Sequence, residues 1–217
     1  MKKLTIPILT IVLLGVAEIL IFKGQFKKEE ISPQKTKTEM AKTGKKAVMI
    51  IAFRDFRDAE YFVPKEILER AGIEVKTASN KIGVAVGADG GDTKVDFLVS
   101  QIKVADFDAI IFVGGPGALD ALDNEDSYKV AKEAIAQNKV LAGICISPVI
   151  LAKAGVLKGK RATVWNDWAK TQAKILEREG AIFENKSVVI DGKIITANGP
   201  GAAKDFGKAI FEVLTKE

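Results

Sequence analysis

A chain of 217 residues with 33 Lys and Arg, 28 Asp and Glu, one Cys and no His excludes several kinds of chemistry at once. Without His there is no Ser-His-Asp triad, no Cys-His dyad and no imidazole ligand for zinc or haem; with one Cys there is no intrachain disulfide and no Cys-cluster metal site. The net charge of +5 is concentrated at the start, where residues 1–44 hold eight Lys against four Glu, and the remainder is close to neutral, which argues against a nucleic-acid-binding surface.

Lys2 and Lys3 precede an apolar run from Leu4 to Phe22, interrupted only by Pro7, two Thr and Glu18. As a helix this run spans about 28 Å, enough for the hydrocarbon core of a bilayer. Residues 1–22 therefore read as a membrane anchor through residues 4–22, or as a signal peptide cleaved near Ala17 and leading to secretion. A soluble amphipathic helix fits less well, because the run is apolar all round. Lys flanks both ends, so the side of the membrane is not set. Residues 23–44 are polar, rich in Lys and Glu and carry Pro33; they read as a disordered tether. The domain proper is expected over residues 45–217.

Within it, Ala47 to Phe53 is a continuous apolar run, the mark of a strand buried on both faces. Phe62, Ile67, Leu68 and Ala71 give Tyr61 to Ala71 helical spacing, and Gly72 stops the helix. Glu74 to Ala78 is a short strand, and the Gly-rich stretch from Lys81 to Thr93 is a hairpin or irregular excursion. Ala109 to Val113 is another buried strand, running into Gly114-Gly115-Pro116-Gly117. Tyr128 to Gln137 is a helix, Val140 to Ile144 a strand, and Pro148 to Ala154 a helix closed by Gly155. A strand over Arg161 to Trp165 and a helix over Trp168 to Glu179 follow. Asp191-Gly192 turns a hairpin between Ser187 and Ala197, and Ala202 to Leu214 is the closing helix. Buried strands alternating with helices predict a doubly wound α/β sheet with helices on both faces, whose ligands bind beyond the carboxyl ends of the strands.

Three features lie at such strand ends. The one Cys, Cys145, sits where a buried strand turns abruptly into a helix, in the manner of a nucleophile elbow. Gly143 and Ser147 are the small residues around it, and Pro148 suits the first helical turn. A helix N-terminus favours a thiolate; the alternative is an inert core Cys. Gly114 and Gly115, with the backbone N–H of Ile146, could form an oxyanion hole, although a plain tight turn needs the same glycines. The spacing is not that of a phosphate-binding loop. Glu60, just after the first strand, could hand a proton to or from Cys145, or could simply complement a helix dipole. Trp165, Asn166 and Trp168 stand at a pocket mouth or pack on the following helix.

Together and in this order these features resemble the ThiJ/PfpI superfamily. The resemblance runs from Lys45 to Leu214 and rests on AVMIIAF, AEYFVPKEILERAGIEV, DAIIFVGGPGALDAL, AGICISPVILAKAGVLKGKRATVW and VVIDGKIITANGPGAAKDFGKAI. It implies a flavodoxin-like, mostly parallel sheet of the kind shared with class I glutamine amidotransferases, here preceded by an N-terminal hydrophobic helix, and a homodimer or higher homo-oligomer. It implies Cys145 as nucleophile, Glu60 as its supporting carboxyl, an oxyanion site at Gly114 and Gly115, and no cofactor or metal. Ser147, Trp165 and Asn198 are candidates to line the pocket. The departures are Ile146 where protease-like members have His, Ser147 where Gly is common, Trp165 where deglycase-like members have His, and Asn198 where they have Arg. The resemblance thus implies glyoxalase- or deglycase-like action on a small reactive carbonyl or glycated substrate. A membrane-tethered thiol redox sensor, or a stress-response or chaperone-type module without turnover, is the alternative. A cysteine peptidase ranks last because the adjacent His is missing.

Overall fold

In the computed structural model, which describes residues 43–216, the apolar runs become the middle of a sheet. The elements are β1 (Lys46–Ile51), β2 (Arg54–Phe56), α1 (Asp58–Arg70), β3 (Glu74–Ser79), β4 (Val84–Gly87), β5 (Asp92–Lys94), β6 (Phe97–Leu98), β7 (Ala109–Phe112), α2 (Ala118–Leu122), α3 (Glu125–Ala136), β8 (Val140–Ile144), α4 (Pro148–Lys153), β9 (Arg161–Ala162), α5 (Thr171–Arg178), β10 (Ile182–Phe183), β11 (Val188–Asp191), β12 (Ile194–Ala197) and α6 (Ala203–Thr215). Seven strands form the main sheet in the order β11-β12-β8-β7-β1-β3-β6. All its pairings are parallel except β11 with β12. This is the expected doubly wound α/β architecture.

Side chains of a strand alternate between faces, and β1 divides its residues accordingly. Val48 and Ile50 join the core under α3, α4 and α5, with Val130, Ala134, Val149 and Leu176. Ala47, Met49 and Ile51 join the core under α1 and α6, with Tyr61, Leu68, Phe206 and Ile210. Burial of each such side chain stabilises the fold by about 1.5–3 kcal/mol, so a strand apolar on both faces holds both layers of helices. Asn124 caps α3, its side-chain oxygen accepting from Ser127 N–H at 3.2 Å, and Pro148 opens α4.

The stretch from Lys81 to Thr93 becomes the β4–β5 hairpin, which pairs with β2 as a separate three-stranded sheet. The expected strand over 161–165 is shorter than its sequence suggests, ending at Ala162. Beyond it Thr163 N–H donates to the Thr196 hydroxyl and Trp165 N–H to the Cys145 carbonyl, so the chain stays extended without a ladder.

The run from Leu4 to Phe22, and with it the expected N-terminal helix, anchor or signal peptide and tether, lies outside the described residues. The membrane location drawn from that run is corrected. Among the described residues no helix is long and apolar enough to cross a membrane. The longest, α1 and α6, have 13 residues each; at 1.5 Å per residue they reach about 20 Å, short of the roughly 30 Å needed, and each buries one face against the sheet.

Candidate active site

Strand β8 delivers Cys145 to a tight turn in which Ser147 N–H donates to the Ile144 carbonyl at 3.2 Å. Cys145 has a φ of +64°, a left-handed backbone that costs a non-glycine residue about 1–3 kcal/mol and persists only where its surroundings enforce it. They do so on both sides: Cys145 N–H donates to the Ala197 carbonyl on β12 at 2.8 Å, and its own carbonyl accepts from Trp165 N–H at 2.8 Å. The elbow is therefore held by two neighbouring chain segments.

Glycine is required on the facing loop. A Cβ on Gly114 would lie 2.5 Å from Cys145 Cβ, 2.7 Å from Glu60 Oε2 and 2.8 Å from the Ile144 carbonyl. Gly114 thus sits where the sulfur-bearing residue and the carboxyl converge. Gly115 has a φ of +116°, and a Cβ there would meet Arg57 N at 2.4 Å. The backbone N–H groups of Gly115 and Ile146 both approach the Cys145 sulfur and favour its ionised form.

Glu60 enters from the first turn of α1 and is fully buried. Neither of its carboxyl oxygens has a hydrogen-bond partner. Burial pushes its pKa up to about 7, against the smaller opposing influence of the Cys145 thiol, the Arg57 guanidinium and the Gly114 backbone. Burial likewise pushes the Cys145 thiol up to about 12, reinforced by the charge of Glu60, with the N–H groups of Gly115 and Ile146 pulling the other way. The thiolate expected at a helix N-terminus is therefore not the resting state. Helix α4 has only six residues, and desolvation beside a carboxyl outweighs its end charge. At neutral pH the pair holds its proton on sulfur, with Glu60 close to its own midpoint.

The remaining candidates are placed differently from one another. Ser147 is fully buried; its hydroxyl bonds backbone inside the wall instead of lining a pocket. Trp165 is 42% exposed, with its ring beside Gly199. Trp168 is wholly exposed, so it does not pack on α5. The Asn166 side chain accepts from Ala173 N–H at 2.8 Å and so organises the start of α5. Asn198 is half-buried next to Ala197, and its N–H donates to the Ser187 carbonyl at 3.0 Å.

Sequence reasoning missed the latch beside the site. Asp58 accepts from Asp89 N–H at 2.8 Å and Gly91 N–H at 2.6 Å, and Arg57 pairs with Asp89 at 2.8 Å. An acidic residue opposite a Gly-rich hairpin was the available signal, but nothing in the spacing brings the two together. Among the described residues no group of three or more His, Cys, Asp or Glu is placed to hold a metal ion.

The sequence profile of the DJ-1/PfpI family matches residues 45–213. The chain belongs to the DJ-1/PfpI family. One relative, an uncharacterized protein of Methanocaldococcus jannaschii, is 36% identical over 217 residues, 100% of this chain and 98% of its own. Deglycase PfpI of Pyrococcus furiosus is 30% identical over 158 residues, 71% of this chain and 90% of that protein. The crystal structure of a ThiJ/PfpI domain protein from Brachyspira murdochii superposes with a TM-score of 0.76 at 34% identity, covering 82% of this chain and 99% of that one. The DJ-1/PfpI family thus includes deglycase-named relatives at about this distance.

Proposed function

We propose that this domain hydrolyses small reactive carbonyl compounds, with Cys145 as nucleophile and Glu60 as the proton carrier. The observation that carries the reading is Glu60: a fully buried carboxyl with both oxygens unpartnered, sharing the space at Gly114 with Cys145. An unpaired buried polar group is costly unless something fills it, and active sites are where such groups are found.

On an α-oxoaldehyde the chemistry runs without a cofactor. The sulfur bonds to the aldehyde carbon while its proton passes to Glu60, and the former carbonyl oxygen becomes an alkoxide facing the Gly115 and Ile146 N–H groups. Glu60 returns the proton to that oxygen, giving a hemithioacetal. Glu60 then takes the C–H proton and delivers it to the neighbouring carbon, while the hydroxyl proton crosses to the neighbouring oxygen, which leaves the thioester of a 2-hydroxy acid. Water breaks the C–S bond, releasing the hydroxy acid and restoring the thiol. The net change is addition of one water, and the oxidation of one carbon is balanced by reduction of its neighbour. A carboxyl with a pKa near 7 both accepts and donates at neutral pH, which compensates for the absence of His.

Methylglyoxal turnover by wild type, Cys145→Ala and Glu60→Gln tests this. Loss of turnover in both variants supports it; equal rates in wild type and Cys145→Ala overturn it. A stress-response module without turnover is the second reading, favoured by a thiol held protonated well above neutral pH. The same feature disfavours a peroxide sensor, which needs a thiolate. A peptidase lacks support, because Ile146 stands where an imidazole would be required.

A further inference from the structure

We infer that Ser147 is a positioning residue that holds the two N–H donors of the anion pocket in register through one hydroxyl inserted between β7 and β8. The inference rests on the reading of Cys145 as the reactive atom. The two strands pair directly as far as Phe112 opposite Gly143. At the next step the Ile144 N–H donates to Ser147 Oγ at 3.0 Å, and the hydroxyl lies 2.8 Å from the Phe112 carbonyl. The hydroxyl is equally 2.8 Å from the Ile144 carbonyl, which accepts from Ser147 N–H with one lone pair and keeps the other, so the one hydroxyl proton serves either carbonyl. Turned to Phe112, it completes a relay from the elbow, through the hydroxyl, to the end of β7.

The relay matters because of what lies just beyond each end. Past Phe112 the chain runs through Val113 and Gly114 to Gly115, which supplies one N–H to the sulfur; past Ile144 it turns at Cys145 to Ile146, which supplies the other. No direct ladder bond joins these two segments after Phe112 and Gly143 in the β7–β8 register. The Ser147 hydroxyl is thus a spacer as well as a tie: it sets the gap across which both N–H groups aim at one atom. Its full burial keeps water from substituting for it. A glycine at this position would leave the same strand ends without this bridge.

The test uses the full chain and reads the thiol directly. Iodoacetamide alkylation of Cys145 is followed against pH in wild type, Ser147→Ala and Ser147→Thr, with methylglyoxal kcat and KM and thermal midpoints measured on the same samples. If the hydroxyl aligns the donors, Ser147→Ala displaces the alkylation profile to higher pH. It also lowers kcat by about tenfold with KM little changed, short of the 10²–10³ lost when an oxyanion donor is deleted outright. Ser147→Thr, which keeps the hydroxyl, restores the profile. An alkylation profile unchanged in Ser147→Ala, whether or not its melting point falls, overturns the inference. Ser147→Gly serves in place of Ser147→Ala should the latter fail to fold. Absence of methylglyoxal turnover in wild type counts against the carbonyl reading only, because the alkylation profile decides the role of Ser147 without substrate.

Discussion

Gly114 carries the requirement that bears most directly on the thiol and the carboxyl. Its missing Cβ leaves room for Cys145 Cβ, Glu60 Oε2 and the Ile144 carbonyl at once, and one of these is backbone that cannot step aside. Gly114→Ala is therefore expected to destabilise the fold by about 1–3 kcal/mol through overpacking. It should also part the thiol from the carboxyl, seen in carboxyl NMR titration as a further rise of the Glu60 midpoint, because the thiol is the largest influence opposing burial there. An unchanged midpoint would show that the two groups do not depend on this approach. Glu60 itself was readable as an acidic residue at a strand end, and Cys145 as an elbow. The direction of the thiol's pKa was not readable, because it depends on burial and on a carboxyl brought in from a distant helix.

Elements explain how Glu60 is kept in place. Helix α1 packs on α6 where Gly207 lets the backbone of Pro64 come close; a Cβ there would lie 3.0 Å from both Pro64 Cα and Ile67 Cδ1. Gly207→Leu would force the two helices apart at a cost of about 1–3 kcal/mol. Because α1 carries Glu60, the same change should slow Cys145-dependent methylglyoxal turnover; a lowered melting temperature with unaltered turnover would show that α1 keeps its first turn independently. At that turn, Asp58 holds the β4–β5 hairpin by two backbone N–H groups. Asp58→Ala leaves both unsatisfied, and about 1–3 kcal/mol of stability should be lost, with faster hydrogen exchange confined to residues 87–91. Exchange that rises evenly across the domain would mean the latch is not local. The central strands β1, β7 and β8 were legible because burial on both faces writes a continuous apolar run. Strands β6 and β10 were not, since two-residue strands leave no period to read, and β9 was read three residues too long. Helix α2, of five residues, escaped for the same reason.

For the molecule as a whole, the buried pair sets how stability depends on pH. Glu60 is raised from 4.5 to about 7, so below pH 4.5 both folded and unfolded chains bind its proton and no stability is lost. Between 4.5 and about 7 the unfolded chain releases the proton first, and stability falls by an amount on the order of 3 kcal/mol. A second fall follows between 9 and about 12 as Cys145 repeats the pattern. Half-buried Asp167 and Glu184, both lowered, act in the opposite sense at acid pH. The measurement is therefore a difference: urea unfolding of wild type and Glu60→Gln from pH 4.5 to 8. The two curves should diverge as pH rises to 7 and run parallel above it; parallel curves throughout would mean Glu60 ionises as freely as in water.

The main-chain bond from Trp165 to the Cys145 carbonyl also has an optical meaning. The chain has two indoles, one tethered to the elbow and half-sheltered, the other at Trp168 bare to solvent. Iodide extinguishes the emission of the bare one first, and the light that remains comes from the residue whose peptide is fastened to the reacting cysteine. Any covalent adduct on the sulfur that shifts this peptide changes that residual signal, so the protein carries an intrinsic gauge of its own occupancy, with no label attached.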